Sequence, residues 1–215
     1  MKPLNKYIKE KLIINKNYRD TKIAEPKSFD ELRKIIEDRY DEFGAGTKQD
    51  PIDFNDIDVS NLNSFCNDND KGIFEKTKFK YIDISSWDVS NVTNMSHMFC
   101  ECSTLKSVGD LSDWDVYEVT NMSHMFAFCK KFNQDLSSWD VSNVTDMSYM
   151  FFHCDSFNKD ISHLNVSNVT NMSHMFYWCI SFNQDLSNWD VSKVRYKIAM
   201  FYNCPIKEEY KPKFK

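Results

Sequence analysis

The chain has 215 residues, 41% hydrophobic and 15% aromatic, with a formal net charge of −5. That is length enough for one domain with a sizeable core. The mildly acidic balance argues against a nucleic-acid partner, which needs a clustered basic surface.

Near the start the longest apolar run is Leu12-Ile13-Ile14, short of the roughly 7–15 residues of a secretory signal. No segment approaches the ~20 apolar residues of a membrane span. The expectation is a cytoplasmic protein without membrane insertion. Next, Ser28-Phe29-Asp30-Glu31 has the form of a capping box, and Leu32, Ile35, Ile36, Tyr40 and Phe43 follow at helical spacing up to Gly44. A helix over about 28–43 is predicted, inside a capping segment of residues 1–50.

From there a repeat takes over. Trp87, Trp114, Trp139, Leu164 and Trp189 open near-copies of one phrase, at spacings of 27, 25, 25 and 25 residues. A degenerate copy begins at Ile57, with an insertion near Asn67–Gly72, and the last copy is cut short after Cys204. The repeats occupy residues 51–204, and 205–215 form a polar tail. Within a unit, Met122, Met125, Phe126 and Cys129 fall at i, i+3, i+4 and i+7 behind Asn121, which predicts a short helix with an N-cap. Asn94, Asp146 and Asn171 are the equivalent caps, and Ser148 falls outside the apolar face. The stretch Phe132–Val141 suits brief extended segments joined by polar turns. One such unit cannot bury its apolar groups alone, whereas stacked units make continuous columns. The expected fold is an α/β repeat: a solenoid with one short strand region and one short helix per coil, capped by the N-terminal helix. Lys197 replaces the first buried Met of the last unit, as an outer face allows.

The phrase WDVSNVTNMSHMF–x2–C–x2–FNQDLS, which covers about Ile57 to Cys204, resembles the BspA-like leucine-rich-repeat surface proteins, in the version with a 25-residue mycoplasma-lipoprotein repeat. The resemblance implies a leucine-rich-repeat-like solenoid with short strands along one wall. It also implies a surface or secreted location and a part in adhesion, against the cytoplasmic expectation drawn from the missing export signal.

Several columns carry candidate chemistry. Cys102, Cys129, Cys154, Cys179 and Cys204 end the apolar faces and read as buried free thiols; Cys66 and Cys100 lie outside the column. His97, His124, Tyr149 and His174 read as a solvated face, since two adjacent imidazoles make half a zinc site and His153 and His163 stand at unrelated positions. Asp83, Asp110, Asp135, Asp160 and Asp185 form one acidic column; Asp88, Asp115, Asp140 and Asp190, with Asn165, form another. Turn capping is the expected offset to their repulsion, and a calcium-type cation is the alternative.

No Gly-rich phosphate loop, G-x-S-x-G or HExxH occurs, and columns of identical groups do not make a catalytic site. The reading is therefore a non-enzyme with no cofactor and no metal. The frame holds constant while two positions before each Cys vary and carry large rings. Phe128, Phe152, Tyr177, Trp178 and Tyr202 are the candidate binding residues for a protein or glycan partner, presented as one row. Their packing against one another, in a scaffold without a ligand pocket, is the alternative.

Overall fold

The computed structural model describes residues 24–214, so the reading of the extreme N-terminus lies outside the described residues. Helix α1 spans Phe29–Phe43. Ser28 Oγ accepts the Glu31 N–H at 3.2 Å, and Glu31 reaches back to the Lys27 N–H at 2.8 Å. Two orphan donors are satisfied at this end, and Gly44, with φ of 73°, closes the other. Leu32 and Ile36 are fully buried against the first repeat unit. Arg33 fastens the helix there: its Nη1 donates to the carbonyls of Gly72, Ile73 and Glu75 at 2.9–3.1 Å.

Successive units pair in parallel. Strands β1 (Ile52–Asp53) and β2 (Ile82–Asp83) form the one two-stranded sheet among the described residues. A line of single parallel bridges continues along the chain: Ser64 to Asn94, then Asn121, Asp146, Asn171 and Tyr196. The bridging residues are the same position of each copy, so like residues lie side by side. Phe74, Phe99, Phe126, Phe151, Phe176 and Phe201 form an unbroken column of stacked rings at 5.3–5.9 Å. Phe132, Phe157 and Phe182 form a second column behind it. Each such pair adds about 0.5–1.5 kcal/mol beyond the area it buries.

The short helix expected in each unit is not there; α1 is the one α-helix among the described residues. Met122, Met125, Phe126 and Cys129 are buried, but on a chain of tight turns. The N–H groups of Met125, Ala127 and Cys129 close turns onto the carbonyls of Met122, His124 and Phe126. The alternate N–H groups, of Met122, His124, Phe126 and Phe128, donate instead to Asp146, Ser148, Met150 and Phe152 of the next unit at 2.7–3.0 Å. A helix would need those donors for its own i−4 carbonyls. Stacked units take them, and the apolar spacing of i, i+3, i+4 and i+7 serves the turns as well as it would a helix. The predicted N-caps act as turn caps: Asn94, Asn121, Asp146 and Asn171 accept the N–H two residues on at 2.8–3.1 Å. Ser148, placed outside the apolar face by the helical reading, is buried.

The turns put two residues of every full unit in the left-handed region. One column is His97, His124, Tyr149, His174 and Ala199, with φ of 50–58°. The other is Glu101, Phe128, His153, Trp178 and Asn203, with φ of 52–61°. L-residues pay roughly 1 kcal/mol or more at such a position, so Ala199→Gly is expected to raise stability by about 0.5–1 kcal/mol. A urea titration of both proteins checks this; a lower midpoint for the glycine variant contradicts the turn geometry.

Behind the second left-handed column lie the thiols. Cys129, Cys154 and Cys179 are unpaired and wholly buried. Each Sγ donates to a phenylalanine carbonyl of the preceding unit at 2.8–3.0 Å. Burial pushes all three far above the ordinary thiol range. Thiol titration of the native, non-reduced protein should leave Cys129 and Cys154 unreacted until denaturant is added. Prompt reaction of both means the column is not closed.

Candidate functional site

The five candidate residues lie on one face but not in one row. Phe152, Tyr177 and Tyr202 stack at 4.9–5.0 Å. Phe128 and Trp178 belong to the neighbouring left-handed column, bridged by His153, which stacks on each of them at 5.3 Å. His153, set aside in the sequence because it matches no other histidine, is the same position as Phe128 and Trp178. Its signal was its place directly before the fixed Cys. Phe128, Trp178 and Tyr202 are exposed, whereas Phe152 and Tyr177 are half-buried between neighbours. Self-packing and exposure thus coexist, divided residue by residue.

A third ladder adjoins these two. His97, His124, Tyr149 and His174 stack face to face at 4.4–4.5 Å. Phe152 packs against Tyr149 at 5.4 Å, and Tyr177 against His174 at 5.5 Å. The histidines are half-buried rather than solvated. Nδ1 of His97, His124 and His174 is shielded and has no hydrogen-bond partner in the structure. Each ring is covered by the face of its neighbour in the ladder. Burial lowers the His97 pKa, and burial together with the adjacent His97 brings His124 down to about 4.

The Asp columns cap turns. Asp83, Asp110, Asp135, Asp160 and Asp185 each accept the N–H two residues on at 2.9–3.0 Å. Asp88, Asp115, Asp140 and Asp190 do so at 3.0–3.1 Å, and Asn165 at 3.2 Å. The N–H groups of Ser137 and Ser162, then their hydroxyls, hold Asp135 and Asp160 below the usual carboxylate range. For Asp140 and Asp185 the hydroxyls of Ser142 and Ser187 lead. Backbone N–H groups and serine hydroxyls together offset the repulsion within the acidic columns.

One group of unlike residues escaped the sequence reading. The ligand atoms of Cys66, Asp70 and His97 lie within 4.8 Å of one another. Cys66 stands just before the insertion in the degenerate copy, Asp70 lies within it, and His97 comes from the next unit, so no sequence spacing connects them. Two shallow depressions lie beside α1, one of them lined by Lys27, Ser28, Asn61, Asn63, Asn67 and Asp68, among others.

A pH prediction follows from the histidine ladder. Unfolded His124 takes its proton near pH 6.5, and folded His124 near 4. Between those values the unfolded state binds more protons, so stability falls as pH drops through the window. The depressed carboxylates of the Asp columns lose their contribution only lower, as they protonate below about pH 4. Melting temperature should decline from pH 6.5 to 4 in the native protein. The decline should be smaller in His124→Tyr, the residue that already stands at position 149. Equal declines would remove His124 as a source.

Two overlapping stretches, residues 68–166 and 104–211, match the family described as Mycoplasma protein of unknown function, DUF285. No curated protein and no solved structure matches the chain.

Proposed function

We propose a function for this chain, which belongs to the DUF285 family of Mycoplasma proteins of unknown function, from the face that its repeat builds. It is a non-enzymatic binding module. Its fold is a solenoid of the leucine-rich-repeat kind, capped by α1, and its finer relationship is to the BspA-like surface proteins. A protein or glycan docks on the aromatic face, in an adhesive role at the cell surface. No helix among the described residues is long and apolar enough to cross a membrane.

The observation that carries this reading is the exposure of Phe128, Trp178 and Tyr202 on a backbone locked by bonds to the neighbouring unit. Large rings held in place before binding lose little ordering entropy when a partner arrives. Aromatic anchors of this kind supply most of the energy at interfaces. Phe152 and Tyr177, pressed between neighbours, support the anchors from behind. Their stacking is also the observation that favours the other reading, an intracellular scaffold whose rings pack only against each other.

Trp178→Ala separates the two. With partners captured from a host-cell surface extract and a glycan array, the binding-module reading expects affinity to fall by about 1–3 kcal/mol at nearly unchanged melting temperature. The scaffold reading expects the reverse: a lower melting temperature, with binding altered only through unfolding. Protease shaving of intact cells checks the location separately.

A further inference from the structure

The repeat is interrupted by a hairpin in its first, degenerate copy. Ser64 bridges Asn94, so Cys66 stands at the position that Ser96, Ser123, Ser148 and Ser173 fill in later units. Immediately after it the chain leaves the stack, turns at Asp70, and returns to pair Gly72 antiparallel with Cys66. Asn67 Oδ1 accepts the N–H groups of Asn69 and Lys71, both at 3.0 Å, which fixes the turn. The returning arm is pressed onto the next unit: a Cβ at Gly72 would come within 1.9 Å of the His97 carbonyl oxygen. Arg33 of α1 clamps the same arm through the Gly72 and Ile73 carbonyls. The hairpin therefore ends over His97, the first ring of the histidine ladder.

We propose that Cys66, Asp70 and His97 form a binding site for one divalent transition-metal ion of the zinc class. Thiolate, imidazole and carboxylate are the ligand types that select zinc over calcium or magnesium. Zinc–ligand bonds of about 2.0–2.3 Å put tetrahedral ligands about 3.3–3.7 Å apart. The ligand atoms now lie within 4.8 Å of one another, and Asp70 is exposed at the hairpin tip, so metal binding asks for a small further approach of the three.

The Cys66 thiol pairs with the Ser96 side chain but has no short carbonyl bond tying it to the stack. The column thiols of Cys102, Cys129, Cys154 and Cys179 bond carbonyls at 2.8–3.0 Å, whereas Cys66 Sγ reaches a carbonyl, that of Asn67, only at 3.6 Å. His97 is held on one side by His124 at 4.4 Å, and its Nδ1 is enclosed without a partner. The metal takes the neutral imidazole. The thiol proton passes to solvent as the metal binds, and the thiolate and carboxylate together neutralise the ion. Glu75, buried beside the site with Lys76 and the Gly72 N–H as partners, adds negative field. Water from the open side at Asp70 completes four-coordination.

The test uses cobalt(II) as a spectroscopic probe and zinc as competitor, on the reduced full chain. The expected result is one equivalent bound, with a thiolate-to-cobalt charge-transfer band and the visible bands of a tetrahedral centre, both erased by zinc. Cys66→Ser restores the residue of the other units and should fold. Asp70→Asn suits its positive φ of 56°, and His97→Tyr keeps a stacking ring of the kind that Tyr149 already holds at the same φ of 57°. Each should weaken binding at least about tenfold, and zinc should raise the melting temperature of the native chain but not of Cys66→Ser. Absence of the charge-transfer band in the native chain overturns the proposal. So does its survival in Cys66→Ser, which would put the metal on another thiol.

Discussion

Everything in this molecule depends on where alternate backbone N–H groups go. In each of the four units from Asn94, Asn121, Asp146 and Asn171, four of them point along the stack to carbonyls of the next unit, and those between close turns within the unit. The first set fixes the register between copies, and the second fixes the path within a copy. Neither works without the other. A single unit would leave its outward N–H groups unpaired, and an unmade buried hydrogen bond costs about 1–3 kcal/mol. The stack is therefore cooperative between neighbours, with its first edge covered by α1 and the inserted hairpin.

Register then dictates the side chains. Because like residues stand side by side, a group that hydrogen-bonds the preceding unit can do so in nearly every copy. Trp87, Trp114, Trp139 and Trp189 each give their indole N–H to a carbonyl two or more dozen residues back, at 2.8–3.3 Å. Thr93, Thr120, Thr145 and Thr170 do the same with their hydroxyls at 3.1–3.2 Å. The buried cysteines use their thiols in this way. They are fixed in the phrase as small donors rather than as disulfide partners or inert filler. The last unit shows the limit of the pattern: Cys204 turns to the Phe182 carbonyl at 3.5 Å and is only partly buried.

The period, the apolar columns and α1 were readable from residue spacing, because each is carried by side chains that must be buried or must cap. The backbone between them was not. A spacing of i, i+3, i+4 and i+7 at Met122, Met125, Phe126 and Cys129 fits a helix and fits paired tight turns equally. The choice rests on donors that sequence does not display. The same ambiguity misplaced Ser148 and the histidines. The five candidate residues were chosen for their variability inside a constant frame, but their division into two ladders follows from alternating left-handed turns. Cys66, Asp70 and His97 were invisible as a set because the hairpin that joins them is where the repeat fails.

The left-handed columns bear on what the face is for. Ten residues occupy them, and none is glycine, although glycine would relieve roughly 1 kcal/mol at each. Seven of these positions hold rings, His97, His124, Phe128, Tyr149, His153, His174 and Trp178; the other three hold Glu101, Ala199 and Asn203. A ring that stacks on its neighbour regains about 0.5–1.5 kcal/mol, close to the strain it accepts. Rings are thus no net gain in stability over glycine. What they add is a rigid surface of aromatic edges, set on a backbone too constrained to fold them away.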